Sequence, residues 1–129
     1  MPMTRVVIAG TPRSGKSTLA GNLAEGGIPV LHTDDLIGSS EWSEQSRLVA
    51  DEWFSKNGPW IVEGMTAVRA LRKWLETHPE GRPCDVVYWG EQAKTYTTPD
   101  QKAMGLGHSR IWQQVRVELV RRGCELIHF

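Results

Sequence analysis

With 129 residues, the chain is long enough for one domain with its own core and leaves little room for a second. Its 15 basic residues balance its 15 acidic ones, and a formal net charge of +0 argues against a protein that holds nucleic acid through overall charge alone. The sequence contains neither a signal peptide nor an apolar segment of membrane-spanning length, so we expect a cytoplasmic protein with no membrane partner.

Short apolar runs alternate along the chain with segments of helical character. Five runs predict strands, at residues 5–10, 28–33, 60–63, 85–89 and 124–129. Between them, helices are predicted from residue 16 to the Gly26-Gly27 pair, over 41–56, from Thr66 to His78, and over 110–122. This alternation favours an α/β domain with a parallel sheet and right-handed crossovers.

One segment, residues 90–109, follows neither pattern. It contains Thr97, Thr98, Pro99, Gly105 and Gly107, and its apolar residues do not recur with helical or strand spacing. We therefore predict a long mobile loop, of the kind that is usually functional in a compact domain.

The aromatic, sulfur and imidazole side chains favour structural roles. Six tryptophans are many for this length, and we expect them to fill the core rather than stack on bases. Cys84 and Cys124 flank apolar strands and are too few for a disulfide framework, so we expect buried, reduced thiols. The four histidines have no metal-ligand spacing, and we assign no zinc site.

The segment GTPRSGKS, residues 10–17, matches the pattern G-x-x-x-x-G-K-[ST] and lies between a predicted strand and a predicted helix. In this arrangement backbone N–H groups and the positive end of the helix dipole surround a phosphate. Lys16 is placed to reach the β- and γ-phosphates, and the Ser17 hydroxyl to bind Mg²⁺. We predict a nucleotide site formed by Gly10, Thr11, Pro12, Arg13, Ser14, Gly15, Lys16, Ser17 and Thr18.

Acidic residues close two of the predicted strands. Asp34 and Asp35 follow the second strand, at the edge where α/β sheets bind their ligands. Asp34 could accept a hydroxyl proton or orient Mg²⁺, while its neighbour could simply begin a turn. Glu63 closes the third strand, and three roles stay open for it: support of Mg²⁺, a bond to a backbone amide or an arginine, or, with Gly64, contact with an acceptor.

The phosphate loop and the order of elements over nearly all of the chain resemble the P-loop kinases of the adenylate kinase and shikimate kinase type. The resemblance implies a three-layer α/β/α fold with a five-stranded parallel sheet in the order 2-3-1-4-5. It also implies a single domain over residues 1–129, with the loop at 90–109 as a short lid. The implied cofactors are ATP and Mg²⁺, with the metal ion near Ser17, Asp34 and Glu63.

Residues 33–35, TDD, are also similar to the aspartate pair of phage polynucleotide 5′-hydroxyl kinases, whose first aspartate accepts the proton of the attacking hydroxyl. Carried over, the catalytic roles fall on Lys16, on Asp34 as the base and on Arg110 at the hinge of the lid. Related kinases often bring two lid arginines, and here Arg13 is the candidate for the second charge. Arg110 could instead be a solvated arginine at a helix start. The acceptor is expected near Asp35, Arg47, Glu63 and Gly64.

The stretch WIVEG…ALRKWL looks like small kinase-like proteins encoded by bacteriophages, some of which phosphorylate modified bases such as 5-hydroxymethyluracil in DNA. We therefore expect transfer of the γ-phosphoryl group of ATP, or another NTP, to a hydroxyl or phosphate of a nucleotide or nucleic acid, in the host cytoplasm if the protein is phage-encoded. Zero net charge favours a free nucleotide, whereas a cationic helix face of Arg69, Arg72 and Lys73 keeps DNA open.

A second class stays open: a non-catalytic or slowly hydrolysing nucleotide-binding module that regulates a partner. Two features favour it. The expected lid carries few cationic residues, and the fifth predicted strand runs to Phe129, whereas related kinases often have a turn after this strand that contacts adenine. The base would then be held by the lid, by Arg110 and Trp112, by a neighbouring subunit, or only loosely. The C-terminal strand or helix could provide an oligomer contact.

Overall fold

A computed structural model describes residues 4–11, 15–36, 41–91 and 99–129. Within these ranges the strands are β1 (Arg5–Gly10), β2 (Val30–His32), β3 (Trp60–Glu63), β4 (Val86–Gly90) and β5 (Glu125–His128). The α-helices are α1 (Lys16–Leu23), α2 (Trp42–Leu48), α3 (Ala67–Thr77) and α4 (Pro99–Arg121). A 3₁₀ turn, Thr33–Leu36, follows β2, and α2 continues as a π-helical segment, Val49–Trp53.

All five strands are parallel and form one sheet in the order β2-β3-β1-β4-β5, which confirms the sheet and the order that the resemblance implied. The central strand β1 pairs with β3, where Ile8 lies opposite Glu63, and with β4, where Gly10 lies opposite Gly90. Because the strands are parallel, β1, β2 and β3 end at the same edge of the sheet. The segments that follow these three strands are therefore neighbours.

The two faces of the sheet bury separate sets of apolar side chains, since successive residues of a strand point to opposite sides. Ile8 and Ile61 face α1 and pack against its buried Ala20. The other face carries Val62 and Val87 and packs against α2, its π-helical continuation, α3 and α4. Helices thus cover both faces, which confirms the expected three-layer α/β/α arrangement.

Most of the described tryptophans fill the core on the α2, α3 and α4 side. Trp60, Trp74, Trp89 and Trp112 are buried, and Trp53 packs against them from a half-buried position. The rings of Trp89 and Trp112 stack with centroids 4.8 Å apart and planes 2° from parallel. Trp112 is 1% exposed, so it holds a core position rather than the base contact considered above.

The last helix is longer than predicted. The prediction of a loop over 90–109 is wrong for residues 99–109, because α4 begins at Pro99. Proline is favoured in the first turn of a helix, where its missing N–H costs nothing. Gly105 and His108 are buried on the same helical face as Ile111, so the inward stripe begins earlier than the apolar residues indicate.

Two smaller differences concern helix starts and lengths. The helix predicted over 41–56 is confirmed only as far as Trp53, and its second half is π-helical. Thr66 stands at the N-cap of α3, but its side chain does not cap the helix. Its hydroxyl instead donates to the Gln45 side-chain oxygen at 3.4 Å, which ties α3 to α2.

Cys84 and Cys124 are both buried and unbridged, as expected. The Cys124 thiol donates to the Cys84 carbonyl oxygen at 3.3 Å, and burial raises the pKa of the Cys84 thiol well above its ordinary value. Both observations fit structural thiols at the start of β4 and β5. In the described ranges, no helix has the length and apolar character needed to cross a membrane.

Candidate functional site

Thr11, directly after β1, and Gly15, directly before α1, lie at the carboxyl edge of the central strand. Gly15 directly precedes α1 with φ of 89°, a left-handed conformation that favours glycine. The Thr11 N–H donates to the Gly90 carbonyl at 3.0 Å and so joins Thr11 to the end of β4. The Lys16 ammonium donates to the Thr11 carbonyl at 2.7 Å. The predicted site residues Pro12, Arg13 and Ser14 lie outside the described residues.

A cavity of about 380 Å³ opens at the start of α1. Its lining comes from the ends of β1, β2 and β3, which the sheet order makes adjacent: Gly15, Lys16, Ser17, Thr18, Asp34, Glu63, Gly64 and Met65. The structure thus brings together residues 15–18 of the predicted nucleotide site, the predicted base Asp34 and the acid that closes β3, whereas Gly10 and Thr11 do not line the cavity. These residues lie up to 50 positions apart in the sequence, from Gly15 to Met65.

Glu63 is held by two neighbours at the floor of the cavity. Its carboxyl is 2% exposed, and Oε1 lies 2.5 Å from His32 Nδ1 and 3.5 Å from the Ser17 hydroxyl, which donates to it. His32 faces Glu63 because the two residues are in register at the ends of β2 and β3. Of the three roles left open for Glu63, the bond to a backbone amide or an arginine is thus replaced by a bond to a histidine.

The charges of Glu63 and Asp34 act on Lys16. The Lys16 side chain is buried, and desolvation lowers its pKa below the ordinary value, while the negative charges of Glu63 and Asp34 act in the opposite direction. A buried lysine balanced by two carboxylates, at the head of a helix, is suited to bind a phosphate group.

The oxygen ligands in the cavity suit a hard cation. Ser17, Asp34 and Glu63 offer a hydroxyl and two carboxylates, and Mg²⁺ prefers oxygen ligands. The described part of the chain contains no group of three or more His, Cys, Asp or Glu side chains that could hold a metal by themselves. Mg²⁺ commonly binds through one or two carboxylates together with phosphates and water, so the residues present fit this ion.

Three of the predicted catalytic and acceptor-binding residues are not brought to the cavity. Asp35 is exposed and does not line it. Arg47 is exposed on α2 in a depression shared with Glu44 and Asp51. Arg110 is exposed on α4, eleven residues after the first residue of that helix, and does not line the cavity. The part of the expected lid at residues 92–98 lies outside the described residues.

His108 and the Nε atom of the half-buried Arg69 are buried polar groups outside the lining of this cavity. His108 is 1% exposed, and its Nδ1 has no hydrogen-bond partner among the described residues. The same holds for the buried Nε of Arg69 on α3. Burial, together with the positive charges of Arg69 and Lys16, lowers the pKa of His108 to about 4. His108 is therefore neutral at pH 7.

Acid should destabilise the protein through His108. Its pKa is about 4 in the fold and about 6.5 in an unfolded chain, so between these values the unfolded state binds the extra proton. We expect this residue to remove about 3 kcal/mol of the free energy of unfolding as the pH falls from 7 to 4. Urea unfolding across this range should show a flatter profile for His108→Asn than for the wild type. Parallel profiles would contradict the assignment, since a packing loss alone is independent of pH.

Gly64 permits close packing between the ends of β2 and β3. Its φ is 133°, and a Cβ built on it would lie 1.9 Å from the Thr33 hydroxyl oxygen. We expect Gly64→Ala to lower the free energy of unfolding by about 2–5 kcal/mol, from backbone strain and overpacking together. The matched control is Gly21→Ala in α1, where nothing lies within 4 Å of the added carbon and helix propensity predicts a gain of up to about 1 kcal/mol. Equal stabilities for the two variants would contradict this reading.

Comparisons with known proteins add no assignment. No protein-family model matches the chain, and no curated protein matches it. The functional argument therefore depends on the geometry of the cavity and on the residues that line it.

Proposed function

We propose that the protein is an ATP- and Mg²⁺-dependent kinase that transfers the γ-phosphoryl group to a hydroxyl or phosphate of a nucleotide or nucleic acid. The observation that carries the proposal is the cavity at the carboxyl edge of the sheet. It combines the start of α1 with Lys16, the exposed carboxylate of Asp34 and the fixed carboxylate of Glu63. Phosphoryl transfer needs positioning and charge neutralisation more than covalent chemistry, and this set of groups supplies both.

Each of these residues has a separate role in the proposal. Lys16 and the N–H groups at the start of α1 bind the β- and γ-phosphates. Asp34 accepts the proton of the attacking hydroxyl, a role open to it because its carboxylate is exposed in the cavity. Ser17 and Glu63 would hold Mg²⁺, and His32 fixes the Glu63 carboxylate. When bound, Mg²⁺ neutralises charge on the phosphates.

The acceptor is better supported as a small nucleotide than as duplex DNA. Arg72 on the expected cationic face of α3 lies 3.9 Å from Glu76, which offsets its charge, and the chain as a whole is neutral. Binding through many phosphates would give activity that falls steeply between low and moderate salt. We expect a rate that changes little with salt, and a steep loss would instead identify DNA as the acceptor.

The rival function, a nucleotide-binding module without an acceptor, is supported by the exposed position of Arg110 away from the cavity. ADP release from ATP separates the two functions. A kinase should release ADP faster when nucleosides, nucleotides, oligonucleotides or modified-base DNA are added, in proportion to the acceptor present. Tight ATP binding with ADP release that is unchanged by every acceptor would favour the binding module.

A further inference from the structure

A second cavity, the α4–β5 groove, lies at the edge of the sheet and shares no lining residue with the cavity at the start of α1. Strand β5 ends the sheet and pairs only with β4 among the described strands. The groove has a volume of about 360 Å³, within the range of about 300–1,000 Å³ that is usual for small-molecule sites. It is lined by Trp112, Arg116, Val117 and Val120 from α4 and by Leu126 and His128 from β5.

Most of the groove surface is apolar and accessible to solvent. Val117 is 68% exposed and Val120 is 58% exposed, although both lie beside Leu126 in the same groove. Positions 112, 116, 117 and 120 share one face of α4, so this surface is continuous along the helix. A ligand with an apolar body would remove these side chains from water, and the hydrophobic effect favours that burial.

The indole of Trp112 lacks the hydrogen bond that a buried tryptophan normally makes. Trp112 is 1% exposed, and its Nε1 has no partner among the described residues. By contrast, Trp60 Nε1 donates to the Lys56 carbonyl at 2.8 Å. Trp89 Nε1 donates to the Glu91 carboxylate at 3.3 Å. Because an indole nitrogen can only donate, the group that completes the Trp112 bond must be an acceptor.

The charge of the groove also favours an acceptor. Arg116 is exposed and forms no ion pair with a carboxylate of the described residues. On the same helix, Glu118 pairs instead with Arg121 and Arg122. None of the residues that line the groove is acidic. A guanidinium binds a carboxylate through two parallel hydrogen bonds, so an anionic carboxylate complements this site in charge and in geometry.

We propose that the α4–β5 groove binds a small carboxylic acid with an apolar body. The body packs on Val117, Val120 and Leu126, and the carboxylate accepts hydrogen bonds from the Arg116 guanidinium. The Trp112 N–H, one helical turn from Arg116, donates to the same carboxylate. This site goes beyond the proposed kinase function and does not depend on it, since the two cavities have separate linings.

Two probes of equal chain length, octanoate and 1-octanol, test the role of the carboxylate. Each is titrated below its aggregation concentration into ¹⁵N-labelled wild-type protein, and the assigned indole N–H resonance of Trp112 is followed. We expect this resonance to shift and saturate with octanoate. The affinity for octanoate should exceed that for octanol by about tenfold, because only octanoate pairs with the guanidinium.

Two variants test the two halves of the site. Arg116→Gln should weaken octanoate binding by about tenfold and leave octanol binding unchanged. Its matched control is Arg110→Gln, since Arg110 is exposed on the same helix and does not line the groove. Val120→Asp should weaken binding of both probes. Its control is Leu106→Asp, because Leu106 is 54% exposed on α4 and also lies outside the groove lining.

A Trp112 resonance that does not move with octanoate, or equal wild-type affinities for the two probes, would overturn the proposal. Octanoate binding that is unchanged in Arg116→Gln would do the same. Sedimentation tests a different occupant of the groove, a second copy of the chain. A wild-type dimer that Val120→Asp converts to a monomer would make the groove an interface and would overturn the ligand site. The comparison of the two probes uses wild-type protein, so it decides the case even if a variant does not fold.

Discussion

Replacing Lys16 by methionine is expected to lower kcat by about 10²–10³-fold or more. The substitution removes the ammonium that reaches the phosphates and keeps most of the aliphatic volume in a position where the side chain is buried. Because burial already opposes the charge of Lys16, its loss should leave the melting temperature close to that of the wild type. ADP release under saturating acceptor and ATP measures the effect.

The control for this experiment is Lys56→Met. Lys56 is exposed after the π-helical segment and does not line the cavity, so the same substitution there should leave kcat unchanged. Full activity in Lys16→Met, in a preparation that melts like the wild type, would exclude the proposed role of Lys16. Equal losses in the two variants would point to a general effect of removing a lysine.

Asp34→Asn should have the second largest effect. The amide cannot accept the hydroxyl proton, and loss of a general base typically lowers the rate by about 10²–10⁴-fold. The exposed position of Asp34 makes the exchange mild for the fold, so the Kd for ATP should change little. Stopped-flow transfer rates and ATP titration together separate chemistry from binding.

Asp51→Asn provides the matched control for Asp34→Asn. Asp51 is exposed on the π-helical segment and lies in a different depression from the cavity. It should retain the wild-type kcat. A wild-type kcat in Asp34→Asn would remove this residue as the base, and a large loss of ATP affinity would assign it to Mg²⁺ binding instead.

The strands and the phosphate-loop pattern could be read from the sequence because they depend on local signals. RVVIAG and WIVE are continuous apolar runs that only a strand covered on both faces would bury. The loop pattern between β1 and α1 combines residue types with a strand before and a helix after, and the structure has both elements in place. Asp34 and Glu63 could be placed at the same edge because parallel strands end together.

Contacts between side chains from distant segments could not be read in this way. The bond between His32 and Glu63 depends on the register of β2 and β3, although both residues close their strands, which is the one signal that could have paired them. The sequence did not predict the first turns of α4, because Gly105 and His108 occupy its buried positions. A helix is recognised from large apolar residues at every third or fourth position, and neither residue is one.

The central claim is that the cavity transfers the γ-phosphoryl group of ATP to an acceptor. The most direct measurement is incubation of the protein with γ-labelled ATP, Mg²⁺ and separate nucleosides, nucleotides, oligonucleotides and modified-base DNA, followed by separation of the products. We expect label on one acceptor class with the wild type, and transfer slower by about 10²-fold or more with Lys16→Met. Label that appears only in inorganic phosphate, or that is transferred equally by Lys16→Met, would contradict the claim.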